Sequence, residues 1–408
     1  MTYGDNPNDQ LMRDAWHSFC DQVKAAGDKV FDDVGGASDG ERTFAFRYLT
    51  QNVSQAFDMW LENRNTRYPN IHAFCSPIRG LGADNADCIY LQSWINDYDT
   101  YKISGTMGTA RMFNLAVQGP HRGPLHDPFG DTPFANLFGE EIEADWDGNF
   151  TVWISPEPHE GNWIQSQPGT RKIYYRQYFD GWDEVPANYR IERIGCDDEP
   201  PPSITPVELV DSFQRAGRFV LECTTDWPHI LFDIDRNWDF PNEFIRHGAV
   251  SNSENEEIDA RRGRLVQQIY WVIQPDEAVI VEFDVPDDYF WQYTGCNLFG
   301  GSLEYRYRQV NLTAGLTPRD NDGTTRFVMC HDDPGFANWI DLQGHTHGWG
   351  LFRNNLTRHT PELRTRLVKT ADLEAELGDT SPRVTPDERR AEMRRRREAN
   401  MRRFPYVT

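Results

Sequence analysis

Three histidines, three aspartates, a tryptophan and an asparagine fall within the stretch HDDPGFANWIDLQGHTHG, which runs from His331 to Gly348 on a chain also bent by Gly and Pro. Core strands do not carry polar side chains at this density, and the turn-forming residues let such side chains converge on a ligand. His331 follows a predicted strand, TRFVMC, so it sits at a strand end, where the loops of a β-sandwich gather. An imidazole with an ordinary pKa of about 6.5 exchanges a proton at neutral pH, and a neighbouring carboxylate can orient it. The candidate catalytic residues are His331, Asp332, Asp341 and His345, with Trp339 as part of the binding wall. The competing reading is a tight loop that His331 and Asp341 merely tie to the backbone.

His345 and His347 form an H-x-H pair, which on a strand would put both imidazoles on one face, as a metal site requires, with His331 as third ligand. Gly348, Trp349 and Gly350 follow where a ligating Glu would be needed. No cofactor is therefore expected, and a divalent metal on His331, His345 and His347 is the lesser alternative.

A second constellation is Glu160, Asn162 and Trp163, then Arg176, Tyr178 and Trp182. On a strand Arg176 and Tyr178 share a face, a pairing able to hold a carboxylate or hydroxyl against an apolar wall. The alternative is a buried Arg176 paired with Asp183 or Glu192. A third group holds Trp291, Tyr293, Asn297, Tyr305, Arg306 and Asn311. Its alternating aromatics read as core, and the substrate-binding candidates read from the residues are Asn162, Trp163, Arg176 and Tyr178, beside Trp339.

The elements that must position these residues follow from periodicity. Apolar side chains at helical spacing predict two helices between residues 11 and 62, the second capped by Ser38 or Asp39. From residue 71 short β-favouring runs separated by Gly, Pro, Asn and Asp predict antiparallel sheet at Cys88–Ser93, Thr100–Ser104, Arg111–Val117, Phe150–Ser155 and Lys172–Phe179. The connector CDDEPPPSITP leads to a helix opening at Pro206 and running to about Thr225, and SNSENEEIDARRGR reads as an exposed loop. Strands resume at Val266–Ile273, Ala278–Val285, Phe290–Asn297, Leu303–Leu312 and Thr325–Cys330. Thr385, Pro386 and Glu388 open a last helix, and residues 383 to 403 hold nine Arg against four acidic residues. That helix is expected to dock on the acidic body or on a neighbouring subunit. No repeat of fixed period is visible.

The expected class is α+β, mainly β: antiparallel sandwich or jelly-roll-like sheets with N-terminal helices, a middle helix and a C-terminal Arg-rich helix. The expected regions are 1–70 helical, 71–196 and 264–370 β-rich, 197–263 connector, helix and loop, and 371–408 the basic tail. A hydrophobic content of 38% over 408 residues fills a sizeable core. A net charge of -23 repels phosphate backbones and anionic lipid, so nucleic acid and membrane are not expected partners. Seven scattered cysteines without a CxxC pair fit reduced thiols. The opening residues lack a basic and then apolar leader, and a cytoplasmic location is expected. Nucleotide-binding, G-x-S-x-G and H-E-x-x-H motifs are absent.

Several phrases together resemble the domain of unknown function 1214 family in its long single-chain bacterial form. They are LGADNADCIYLQSWIN, ISPEPHEGNWIQ with YYRQYFDGWDEVPANYRIERIG, EPPPSITP, PDEAVIVEFDVPDDYFWQY with SLEYRYRQVNL, HDDPGFANWIDLQGHTHG and SPRVTPDERRAEMRRRR. Their order covers the chain from about residue 11 to the end. The family pattern supplies His345 but no match for His347. The resemblance implies a β-sandwich or jelly-roll fold with appended helices and a place among catabolic enzymes for apolar molecules, and through its SLEYR phrase it makes Tyr305 and Arg306 further substrate-binding candidates.

The leading functional expectation is a cofactor-independent acid/base enzyme, a lyase, hydratase, isomerase or hydrolase, acting on an apolar oxygenated small molecule, in a homo-oligomer. Thirteen Trp and many Asp and Asn suggest, as an alternative, a carbohydrate-binding or carbohydrate-active sandwich, with Asp341 and Glu160 as the carboxylate pair. A further alternative is a non-catalytic assembly protein joined through its Arg-rich tail.

Overall fold

The computed structural model describes residues 6–33, 38–120, 131–196, 200–232, 239–246, 265–286, 289–355 and 361–405. The polar run expected to form a loop, residues 251–264, lies outside them. Helix α1 spans Asn8–Asp33 and α2 spans Asp39–Phe57. Ser38 caps α2 as its sequence predicts: its side chain accepts from Glu41 N at 3.2 Å, while Glu41 accepts from Ser38 N at 2.8 Å. Helix α3, Pro206–Phe232, opens at the expected proline and runs a turn or more beyond Thr225. Phe19, Tyr48, Leu49, Phe219 and Val220 bury the facing sides of the three helices in one cluster that also takes in Phe74, Cys75 and Trp94.

Among the described residues the strands form two sets of nine. The first comprises β1 His72–Cys75, β2 Cys88–Trp94, β3 Tyr101–Thr106, β4 Met112–Pro120, β5 Asp131–Phe138, β6 Asn149–Ser155, β7 Asn162–Gln165, β8 Lys172–Tyr178 and β9 Asn188–Arg193. The second comprises β10 Phe244–Arg246, β11 Leu265–Val272, β12 Glu277–Phe283, β13 Phe290–Cys296, β14 Asn311–Thr313, β15 Thr325–Cys330, β16 Trp339–Asp341, β17 His347–Asn355 and β18 Arg364–Lys369. Sheet I is ordered β1-β2-β8-β4-β5 and sheet II β7-β6-β3-β9; sheet III is ordered β10-β11-β17-β13-β14 and sheet IV β16-β15-β12-β18. Each strand of the second set occupies the place of its counterpart in the first. One sandwich topology is thus present twice, a repeat that no fixed spacing in the sequence announces.

The pairing is antiparallel except between β6 and β7 and between β15 and β16, which run parallel. At each exception stands an Asn-Trp dipeptide. Asn162 Nδ2 donates to Glu143 O at 2.8 Å and Thr151 O at 2.9 Å, and Asn338 Nδ2 donates to Pro318 O and Arg326 O, both at 2.8 Å. The shared dipeptide therefore pins the same crossing in both halves.

Both sandwich interiors are packed with side chains. Ile103, Leu115, Val152, Ile173 and Tyr175 fill the first, and Trp271, Val281, Tyr293, Phe327 and Phe352 the second. Trp291 and Tyr293 belong to this core, as their alternation predicts. With the interiors filled, a ligand site must lie at a sandwich end, on an outer face or between the sandwiches. Sheets I and III approach through their outer faces, where Cys88, Met112, Phe138 and Tyr178 meet Phe290. Helix α4, Leu373–Leu377, covers sheet IV through Leu373 and Leu377. The fold is mainly-β α+β, and no helix among the described residues is long and apolar enough to cross a membrane.

One expected strand is absent: Leu303–Leu312 is a turn and loop that becomes extended only at β14. Arg306 reaches back to Glu304 with a two-pronged ion pair, Nε to Oε1 at 2.7 Å and Nη2 to Oε2 at 2.8 Å, which closes the chain on itself. The C-terminal helix α5, Pro386–Arg403, starts at the Thr385 capping box and docks on its own chain. Arg389 donates to Asp333 and Gln309, Arg396 to Asn311, and Arg403 to Asp87 and Gly181 O.

Candidate functional site

His331 leaves the end of β15, where its Nε2 lies 2.9 Å from Ile273 O. A carbonyl cannot donate, so in the neutral ring Nε2 carries the proton and Nδ1 offers a lone pair. Asp341 ends β16: its backbone N donates to Gln309 O at 2.8 Å, its Oδ1 accepts from Gln343 N at 2.7 Å, and its Oδ2 accepts from Arg308 Nη1 at 2.8 Å. Arg308 is half exposed, whereas Asp341 is buried. One nitrogen of the guanidinium thus rests on a carboxylate while about half of the side chain stays exposed.

His345 is 4% exposed, held edge-on to Phe44 of α2 at 5.0 Å between ring centroids. Burial pushes its pKa below the ordinary histidine value; Glu41 and Asp341 oppose that, while His331 and Arg308 reinforce it. Among the described residues no hydrogen bond reaches either of its ring nitrogens. Glu41 anchors the loop beneath. Its Oε1 accepts from Thr346 N at 2.9 Å, Thr346 Oγ1 at 3.1 Å and His347 N at 3.1 Å. Burial raises the Glu41 pKa, but the His347 and Ser38 hydrogen bonds outweigh it and hold this carboxyl far below the usual carboxylate range. Helix α2 therefore supplies both a floor, Phe44, and a clamp, Glu41.

The structure brings together His331, Asp341 and His345 and adds Arg308, Glu41 and Phe44, which sequence reasoning missed. Arg308 stood two residues from the nominated Arg306, in a run read as strand, and nothing in that alternation separates them. Arg306 is consumed by Glu304, which also takes Arg47 Nη2 at 3.3 Å. Asp332 is exposed and turned to another surface, and Trp339 is a pillar: its Nε1 donates to Cys330 O at 3.1 Å and Arg389 lies over its ring. His345 precedes β17 instead of lying on it, so it and His347 do not share a strand face as expected. His347 Nδ1 instead turns to Thr346 Oγ1 at 2.9 Å, and among the described residues no group of three or more His, Cys, Asp or Glu is placed to hold a metal ion.

The second constellation divides. Trp163 donates to Ser155 Oγ on the β6–β7 side of the first sandwich, while Arg176 and Tyr178 lie on sheet I and face sheet III. Arg176 Nη2 donates to Asn114 Oδ1 at 3.0 Å, not to Asp183 or Glu192; Glu192 pairs with Lys102. Tyr305 is buried in a cluster with Phe179, Leu303 and Phe404, against which Phe44, the ring beside His345, also packs. Of the nominated carboxylate pair, Asp341 ends β16 of the second sandwich and Glu160 lines an open cleft of the first. Two cavities flank these groups. One of about 240 Å³ is lined by Cys330, Asp332, Asp333, Phe336 and Glu374, and an open cleft of about 370 Å³ by Glu143, Trp153, Glu160 and Asn162. His331 lines neither; its neighbours in sequence line the first.

No family model matches the chain, and no curated protein does. Among solved structures it is similar to an uncharacterized protein from Burkholderia cenocepacia, at 26% identity and a TM-score of 0.78, over 88% of this chain and 98% of that one. A Vibrio parahaemolyticus protein matches at 10% identity and a TM-score of 0.45, over 85% of this chain and 100% of that one. Procruciferin, an 11S globulin from Brassica napus, matches at 12% and 0.21, over 85% and 93%. The Burkholderia protein shares the fold across nearly the whole length; the other two are too distant to carry an argument.

Proposed function

We propose that this chain is a cofactor-independent acid/base enzyme for an apolar, oxygenated small molecule, with His345 as its base. The observation that supports this most is a buried imidazole with no hydrogen-bond partner among the described residues, beside a second imidazole and a half-exposed arginine. Burial keeps His345 uncharged at pH 7, so it is ready to take a proton from a carbon next to a carbonyl or from water. Arg308, steadied by Asp341 through one nitrogen, turns its free donors to the oxygen on which charge develops. His331, fixed by Ile273 O, presents Nδ1 as the second proton carrier. Lyase, hydratase, isomerase and hydrolase outcomes share this first step. Membership of the domain of unknown function 1214 family, a catabolic role and a cytoplasmic location are part of this reading.

Proton exchange at carbon tests this without the substrate being identified. The protein is incubated in D2O with a panel of aryl and alkyl ketones, aldehydes and acids, and loss of the protons next to each carbonyl is followed by NMR. Exchange is expected for at least one member, with His345→Ala slowing it by about 100-fold or more and Arg308→Gln by about 10- to 100-fold. Exchange that survives His345→Ala, or none across the panel, contradicts the assignment.

A further inference from the structure

The two halves of the molecule treat one sheet face in opposite ways. Along β6, Phe150, Val152 and Ile154 point into the first sandwich, so Thr151 and Trp153 point out. By the same alternation Lys102 on β3 and Trp163 on β7 share that outer face, and Trp153 lies in register with both. In the second half Val328 holds the same place, between Ile280 and Trp339. There the face is apolar and covered: Ala278, Ile280, Val328 and Trp339 are buried with Leu373 and Leu377 of α4. In the first half Lys102, Thr151, Trp153 and Trp163 all keep accessible surface. A face that the chain itself closes in one sandwich is left open, and furnished with tryptophan, in the other.

The open cleft of about 370 Å³ lies on this side, a size that suits a small ligand. Trp153 lines it, and the exposed ring of His159 stacks on Trp153 at 3.9 Å between centroids. Glu143, Asp145, Thr151 and Glu160 supply oxygens, and no Lys or Arg is among the lining residues. Asp145 is spent on a tight turn: its Oδ1 accepts from Asp147 N at 3.0 Å and Asn149 N at 2.8 Å, and its Oδ2 from Asn149 Nδ2 at 3.0 Å. That turn holds out Trp146, which is 93% exposed. Among the described residues no hydrogen bond or ion pair reaches the carboxylate of Glu143 or Glu160, both exposed.

Indole faces left in water favour a ligand with an apolar surface, and carboxylates, which only accept, favour one rich in hydroxyl donors. A pyranose ring carries both, C–H groups on its faces and hydroxyls around its rim. The carboxylates repel an acidic sugar. We propose that this cleft binds a neutral oligosaccharide, one sugar ring against Trp153 and a neighbouring one on Trp146, with hydroxyls donating to Glu143 and Glu160. The site belongs to the first sandwich and owes nothing to His345.

Calorimetric titration of the full chain with cellohexaose, xylohexaose, mannohexaose, maltohexaose and the hexamer of N-acetylglucosamine tests it, with the hexamer of galacturonic acid as the anionic counterpart. At least one neutral hexasaccharide is expected to bind saturably with a Kd of about 1 mM or tighter, and the acidic hexamer about tenfold or more weakly than that. Trp146→Ala and Glu160→Ala, both at exposed positions where the fold does not depend on them, should each weaken the neutral ligand about fivefold or more. No saturable binding by any neutral hexamer, equal binding of the acidic one, or binding that either variant leaves unchanged overturns the proposal. The comparison of neutral and acidic sugars uses the unaltered protein, so it stands whatever the variants do.

Discussion

His331 and His345 are separated by fourteen positions in the chain but differ most in what holds them. His331 is oriented by a backbone carbonyl, and His345 by an aromatic face and by burial. Because burial lowers the His345 pKa, its neutral form persists below the ordinary value of about 6.5. The exchange reaction is therefore expected to be flat between pH 7 and 8 and to fall along an acid limb whose midpoint lies below about 6.5, measured as rate against pH. A midpoint above that value would assign the base to another group. The polar density of residues 331–348 made this place legible in the sequence. Arg308 was not legible, because choosing between Arg306 and Arg308 requires knowing that Glu304 captures the former. Glu41 was hidden for a related reason: one oxygen completes the Ser38 cap while the other clamps a loop some 300 positions away, a contact with no local signal in the sequence.

At the scale of elements, helix α5 is the clearest case of charge put to structural use. Arg389, Arg396 and Arg403 recur every seven residues, two helical turns, and so form one stripe. That stripe is buried: Arg396 is 1% exposed, with Trp182 under its guanidinium at 4.7 Å, and Arg403 lies over Phe179 at 4.1 Å. The stripe touches Asp87 and Trp182 from the first sandwich and Asn311 and Asp333 from the second, so the helix straps the two together. Arg396→Ala leaves Asn311 Oδ1 without its donor and opens a void, a loss of about 3 kcal/mol. The exposed neighbour Arg395→Ala should change stability by less than about 0.5 kcal/mol, both read from urea midpoints. Equal effects would refute the strap. The helix and its cap were legible from Thr385, Pro386 and Glu388. Docking on the acidic body was expected from its charge; which arginines are buried was not legible, because arginine reads as solvent-facing unless its seven-residue spacing is weighed.

The whole molecule is two sandwiches of one topology fused through a polar layer. Gln292 Nε2 donates to Phe179 O at 2.8 Å and its Oε1 accepts from Asn85 Nδ2 at 2.6 Å, so a side chain of the second half is completed by the first. With this layer and the α5 strap shared, the halves are expected to unfold together, as a single calorimetric transition; two separated transitions would show independent domains. The alternation of strands made the fold class readable. The duplication was not readable, because topology is set by which faces are apolar and where turns fall, and many unlike residues satisfy both. The Asn-Trp dipeptides at Asn162 and Asn338 carry the repeat at the level of residues.

The central claim is that His345 is an uncharged base beside a His331 whose proton sits on Nε2. Nitrogen-15 NMR of the imidazole rings, assigned with His345→Gln and His331→Gln, addresses it directly. The expected spectrum at pH 7 shows His345 neutral, titrating below about 6.5, and His331 as the Nε2–H tautomer. A His345 ring already protonated at pH 7, or a proton on Nδ1 of His331, would contradict the account.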